Sequence, residues 1–282
     1  MNQDNAAPAP AAEQGSRNLL MRVGTALVLA PGSVALAYIG GWPWAILVTL
    51  VAIGLYVEWL TVVGAGKNWP LIGTGSLALA GGGIGLALAR LDASLAAIAI
   101  GLVAVGLSTP APRRWAVTGF CYAAAALFAS ILLRNDPDHG FVALMLILLV
   151  VWVTDIGGYF AGRGIGGPKL WPRVSPKKTW AGAIGGFVAS LAIGAGFAAF
   201  GFGKFAPLLI LAAVLSTVSQ LGDLFESAVK RQFGVKDSSH IIPGHGGLLD
   251  RLDGYVAAAV FAVLFGALRG GVDGVGHGLM VW

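Results

Sequence analysis

"GFVALMLILLVVWVTDIGGYFAGR", residues 140–163, is the stretch that decides the fold. No charged side chain occurs from Gly140 to Thr154. The run from 140 to 162 matches the ~20 residues a helix needs to cross the hydrocarbon core of a bilayer. Asp155 then falls inside that same run. A carboxylate within a span is costly and rarely faces lipid, so this segment carries both an anchor and a clue to something polar inside the bundle.

Apolar runs of the same kind recur on both sides. They predict about nine spans, at 18–40, 42–64, 69–89, 92–109, 115–134, 140–162, 180–202, 205–232 and 253–281. The fold class is therefore all-α, a polytopic transmembrane helical bundle. Alternation of apolar and polar residues, which a membrane β-barrel needs, is absent. Bulk numbers agree: 57% of residues are hydrophobic, 11% are charged against about a quarter in soluble domains, and mean hydropathy is +0.80. The 43 glycines suit close helix packing in lipid. Cys121, the single cysteine, supports neither a disulfide framework nor a cysteine metal site. The last span is interrupted by "RGGVDG" from Arg269, so a shorter helix followed by a surface tail is expected there.

Residues 1–17, polar and rich in Ala and Pro, read as a disordered tail. Residues 18–282 read as one transmembrane domain. "VALA" at 34–37 resembles a signal-peptide cleavage site, but Arg17 and Arg22 sit late for a charged leader and more spans come after it, so a retained first span is preferred. With the N-terminus cytoplasmic, only Arg90, Arg134, Lys204 and Arg269 of the 18 Lys and Arg fall outside, a clear positive-inside bias. The net charge of +5 thus speaks for topology and anionic head groups. No basic stretch is interleaved with aromatics, so nucleic acid is not an expected partner. Two inside segments are long, with key loops at 163–179 and 230–254, and chemistry is expected at that mouth of the bundle.

Three segments carry that chemistry. In "LSTVSQLGDLFESAVK", Ser216, Ser219, Gln220, Asp223, Ser227 and Lys230 recur every three or four residues, making one polar stripe on an apolar helix. The stripe is either a hydrogen-bonded seam between helices or the wall of a hydrophilic cavity. Glu226 lies one turn from Asp223 on a neighbouring edge. In "PGHGGLLDRLDG", the Gly246-Gly247 pair after His245 permits backbone conformations closed to other residues and an anion-binding nest of N–H groups. Asp250 and Asp253 share the next helix face, with Arg251 beside them. In "RVSPKKTWAGAIGG", Lys177 and Lys178 with Ser175 and Thr179 serve either as headgroup anchors or as a grip for a polyphosphate. Asp155 neutralises a lysine or lines the cavity; Glu58, in "YVEWL", reads as structural. Carboxylates from different elements beside phosphate-binding cations suggest a hard divalent metal such as Mg²⁺. His240 and His245 lack the spacing of a helical ligand pair, and no Cys or His array for zinc occurs. A substrate with a polyphosphate end and a lipid end fits such a pocket.

Ser227-x-x-Lys230-Arg231-x4-Lys236-Asp237, then His245-Gly246-Gly247-x-x-Asp250-Arg251-x-Asp253, resembles the signature of the CDP-diacylglycerol synthases, or phosphatidate cytidylyltransferases. "SQLGDLFES", "SPKKTWAG" and "TDIGGYFAGR" resemble the same family, so the likeness covers 151–254. It implies transfer of the cytidylyl group of CTP to phosphatidate, with Mg²⁺ required and room for a second cation at the same site. It implies Asp223 and Asp250 as metal ligands and, with Lys230, as catalytic residues. Phosphates would be held by Lys230, Arg231, Lys236, Arg251, Lys177 and Lys178, with Ser175, Thr179, Ser227, Asp237, His245, Gly246, Gly247 and Asp253 completing the binding site. A homodimer and the inner membrane of a bacterium are also implied; the Ala- and Gly-rich composition suits a GC-rich bacterium. One departure is Ala181, where many relatives carry Glu after the tryptophan. Two alternatives stay open from the residues: a transferase acting on another lipid phosphate or a prenol, and an ion-coupled transporter with a path through Asp155 and Asp223. The crowding of charge on one membrane face, and the lack of an internal repeat, argue against the second.

Overall fold

In the computed structural model, residues 27–108, 113–239 and 246–282 are described. The tail expected over 1–17, the start of the first span, and His240 and His245 lie outside the described residues. The elements are α1 (Leu27–Ile39), α2 (Gly41–Val62), α3 (Trp69–Ala87), α4 (Leu91–Ser108), α5 (Arg113–Asn135), α6 (Gly140–Gly164), β1 (Lys169–Trp171), β2 (Ser175–Thr179), α7 (Trp180–Ala199), α8 (Phe205–Gln232), α9 (Leu249–Gly270) and α10 (Val275–Met280). Eight of these helices, α2 to α9, are long and apolar enough to cross a membrane. The all-α polytopic class read from the sequence is the one the chain adopts.

Three buried aromatic side chains with their polar ends satisfied tie the first half together. Tyr56 donates its hydroxyl to Leu71 O at 3.0 Å, Trp59 its Nε1–H to Trp115 O at 2.8 Å, and Trp44 its Nε1–H to Ser130 O at 3.0 Å. These bonds fasten α2 to α3 and α5. Asn68 caps α3 through Leu71 N–H, and Thr179 caps α7 through Gly182 N–H at 3.1 Å.

The second half closes through small residues. Along α6 and α7, a Cβ on Gly185 would lie 2.2 Å from Ala161 Cβ, and one on Gly186 would lie 2.4 Å from Thr154 O. Along α8 and α9, a Cβ on Gly222 would lie 2.5 Å from Ala257 Cβ and 2.8 Å from Asp253 O. Gly222 precedes Asp223 and Gly254 comes just after Asp253, so the glycines that let α8 and α9 approach also bring two carboxylates to one seam.

Two features differ from the sequence reading. The loop over 163–179 contains an antiparallel hairpin, with Lys169 opposite Thr179 and Trp171 opposite Ser175. The final span ends at Gly270, and Gly271 turns the chain at φ +76 into α10. The C-terminal segment packs onto the bundle and is no surface tail. Val275, Leu279 and Met280 are buried, and Arg269 donates to Gly278 O at 2.5 Å and to Val281 O at 3.1 Å, folding the terminus back onto α9. An arginine with two carbonyls in reach outweighs solvation of a short, largely apolar end.

Candidate active site

The two long loops leave the bundle on the same side. Arg231 at the end of α8 donates from Nε to Val174 O at 3.3 Å, joining the second loop to the hairpin of the first. Beneath them lies a cavity of about 770 Å³, walled by α6, α7, α8 and α9 and by β2. That size is ample for a nucleotide or a lipid headgroup.

The polar stripe of α8 divides into two parts. Toward the membrane interior it is a seam: Thr154 donates to Ser216 Oγ at 2.8 Å, Ser219 donates to Ser216 O at 3.0 Å, and Gln220 reaches Ala183 O at 3.4 Å. Toward the loops it opens into the cavity through Asp223 and Lys230. The two parts meet at Thr154 and Gln220, which belong to the seam and also line the cavity, so the helix serves as seam and as cavity wall.

Asp155, Asp223, Asp250 and Asp253 line the cavity together with Lys177, Lys178, Lys230, Arg163 and Arg251. Acids therefore meet cations here. Lys178 on β2 forms an ion pair with Asp223, with about 30% of each side chain exposed. Deeper in, Lys230 is 10% exposed and contacts Glu226 Oε2 at 2.6 Å and Asp250 Oδ1 at 2.5 Å. Glu226 is fully buried, and its Oε1 has no hydrogen-bond partner. Asp250 Oδ2 accepts from Ser238 N–H at 3.0 Å, Ser238 Oγ–H at 3.0 Å and Gly247 N–H at 3.1 Å. Three donors thus fix one oxygen of Asp250, and the other faces Lys230. The shallow pair can exchange partners readily with an incoming ligand; the deep pair is held by its surroundings.

The other residues singled out in the sequence take varied places. Thr179 lines the cavity as well as capping α7. Ser175 opens β2 opposite Trp171. Ser227 donates to Asp223 Oδ1 at 3.3 Å. Arg231 bonds the backbone of Val174 and Val235. Lys236 and Asp237 are exposed in the loop. Gly246 takes φ +85, a left-handed conformation suited to glycine, and buried Gly247 supplies an N–H to Asp250. His245 lies outside the described residues. Ala181 brings no charge to this loop, and the partner of Lys178 is Asp223 on α8. The sequence reading misses Tyr159 and Arg163, which line the cavity with Arg163 donating to Tyr159 Oη at 2.9 Å. In the sequence both lie within "TDIGGYFAGR", noted there as a family-like segment with Arg163 as an inside charge, and neither is singled out for the site. Ser238 carries no signal there at all.

Hard oxygen donors suit a divalent ion such as Mg²⁺. Among the described residues no group of three or more His, Cys, Asp or Glu side chains is arranged to hold a metal. A site built from Asp223 and Asp250 would complete its coordination with water and substrate phosphates, which is how Mg²⁺ is commonly bound.

Fold and cavity together define the class: a polytopic helical membrane protein with a charge-paired chamber at one face. Comparison with known proteins sharpens this. The chain belongs to the Cytidylyltransferase family, whose profile matches residues 20–268. It is similar to the phosphatidate cytidylyltransferase of Brucella suis, 43% identical over 263 residues, covering 89% of this chain and 94% of that one. It is also similar to the phosphatidate cytidylyltransferases of Haemophilus influenzae, 44% identical over 137 residues (46% of this chain, 48% of the other), and Bacillus subtilis, 41% identical over 138 residues (48% and 51%). The likeness therefore reaches well past 151–254, back to the first spans.

Proposed function

We propose that the chain transfers the cytidylyl group of CTP to phosphatidate, giving CDP-diacylglycerol and pyrophosphate. One phosphate oxygen of phosphatidate attacks the α-phosphorus of CTP, the bond from that phosphorus to the bridging oxygen of the β-phosphate breaks, and pyrophosphate leaves. The observation that carries the reading is the pairing of Lys178 with Asp223 and of Lys230 with Asp250 in one cavity at the helix ends. Lys178 sits where it can turn from Asp223 to a phosphate, freeing that carboxylate to hold a metal, while Lys230 stays between Glu226 and Asp250 as a fixed positive charge in the cavity.

The nucleophile is already ionised, so no strong general base is needed; alignment and charge neutralisation do the work. Lys178 and Lys177 approach from β2, while Lys230, Arg163 and Arg251 come from the helices, so phosphates entering between them meet cations on several sides. Mg²⁺, held by Asp223 and Asp250, would neutralise charge on the transferring phosphates, with room in the family scheme for a second cation. We place the cavity on the cytoplasmic side of a bacterial inner membrane, supported by the inside excess of Lys and Arg and by bacterial relatives. A homodimer is proposed on family likeness alone.

The test uses purified protein in lipid–detergent micelles. Pyrophosphate release should require CTP, phosphatidate and Mg²⁺ together. It should fall about 100-fold or more in Asp223→Asn and Asp250→Asn, the scale on which catalysis loses a charge-stabilising group. Turnover with a prenol or another lipid phosphate, and none with phosphatidate, would move the assignment to a different acceptor.

A further inference from the structure

Glu58 lies near the end of α2, far in sequence from every signature residue, and is 1% exposed. Its carboxylate accepts four hydrogen bonds from one loop. Oε1 takes Ser239 Oγ–H at 2.6 Å and Leu248 N–H at 2.8 Å; Oε2 takes Leu249 N–H at 2.8 Å and, at 2.9 Å, shares the single Ser238 Oγ–H with Asp250. The first N–H groups of a helix have no partner within it. α9 has Leu248 at its N-cap, with no side-chain cap of its own. Glu58 supplies that cap from another helix, with the charge that the start of a helix favours.

The same contacts lead directly to Asp250. Ser238 Oγ lies within hydrogen-bond distance of both Glu58 Oε2 and Asp250 Oδ2, and Ser238 N–H and Gly247 N–H also bond Asp250 Oδ2. The packing at this point is tight. A Cβ on Gly247 would lie 1.8 Å from Ser238 Oγ and 2.7 Å from Glu58 Oε2. Only a residue without a side chain lets the loop close over the carboxylate.

We infer that Glu58 is a positioning residue for the transfer site: it clamps Ser238, Ser239 and the first turn of α9 so that Asp250 presents Oδ1 to Lys230 and the cavity. The inference rests on the proposed role of Asp250 in the transfer, and it assigns the first-half helix α2 a part in catalysis that the signature motif does not contain. Glu58 itself touches no reacting atom; it acts through the loop.

Glu58→Gln tests it. The amide keeps the size of the side chain but turns an NH₂ group toward donors. Two readouts are taken on folded protein in micelles. Hydrogen exchange without substrate should quicken at Leu248, Leu249 and Ser238 and stay unchanged in α6. With CTP and phosphatidate, kcat should fall about 10- to 100-fold, the usual cost of losing an outer partner of a metal-binding group, with both KM values near wild type. On an Asp250→Asn background the same change should cost no further activity. If Glu58→Gln does not fold, Ser238→Ala removes the shared hydroxyl and should show the same pattern more weakly. Unchanged exchange at 248 and 249, or a folded variant with wild-type kcat, would overturn the inference. Exchange is read without substrate, so it judges the clamp independently. A wild type that forms no CDP-diacylglycerol would instead defeat the functional reading.

Discussion

The two faces of the bundle use charge in opposite ways. On the face away from the long loops, the ionised side chains packed into the bundle bind backbone, and the Arg90–Asp92 pair lies exposed in solvent. Arg134 donates to Ala37 O and Tyr38 O, Asp136 accepts from His139, Asp138 and His277 N–H groups, and Arg269 bonds Gly278 O and Val281 O. On the loop face, Lys178 binds Asp223 and Lys230 binds Glu226 and Asp250. A charge bound to backbone staples the fold and has nowhere to go. A charge bound to an opposite charge can be exchanged for a ligand that offers one. Applied to charges packed into the bundle, this criterion makes the loop face the working face and the other the scaffold. Glu58 and Arg231 depart from this on the working face: both bind loop backbone, which marks them as support for the site.

The sharpest way to break this comparison is within the working face. Lys230→Ala leaves Glu226 and Asp250 buried without their cation and should destabilise the protein by about 3–5 kcal/mol, read as a lowered thermal midpoint in micelles, with activity abolished. Lys178→Ala removes a half-open pair and should cost only about 0–1 kcal/mol of stability, yet reduce turnover strongly. If the two variants lose stability equally, the distinction between deep and shallow pairs fails. On the scaffold face the effect is smaller and appears in the pH dependence. Burial pushes the Asp136 carboxyl up, but N–H groups from His139, His277 and Asp138 outweigh it and hold the group below its ordinary value. The stabilisation is present above the ordinary value of about 4 and is lost as pH falls through the lowered one. Asp136→Asn should therefore lower the thermal midpoint at neutral pH, flatten its decline on acidification, and leave kcat unchanged.

The spans were legible because a bilayer leaves a helix little choice of length or composition, and 140–162 reads accordingly. Asp155 and Asp223 were legible as cavity candidates because acids within spans are expensive. The hairpin over 169–179 was not: "KLW" and "SPKKT" carry no alternation of apolar and polar residues, and their pairing is fixed by the capping of α7 and by Arg231 reaching Val174 O. The ion pairs escaped for a related reason. Lys178 and Asp223 sit on different elements, and only the close approach of α6, α7, α8 and α9 at their glycines brings them together. Glu58 is the extreme case, with hydrogen-bond partners 180 to 191 residues away. From its own neighbourhood it reads as a structural acid, and nothing local tells what structure it supports.

The most direct test of the central claim tracks the phosphorus atoms of CTP. Protein in micelles with phosphatidate and Mg²⁺ is given CTP labelled at the α-phosphorus or, separately, at the γ-phosphorus. The account predicts that the α label enters the lipid and the γ label leaves in pyrophosphate, both only when phosphatidate is present. A γ label on the lipid, or an α label that never leaves the aqueous nucleotide, would contradict it.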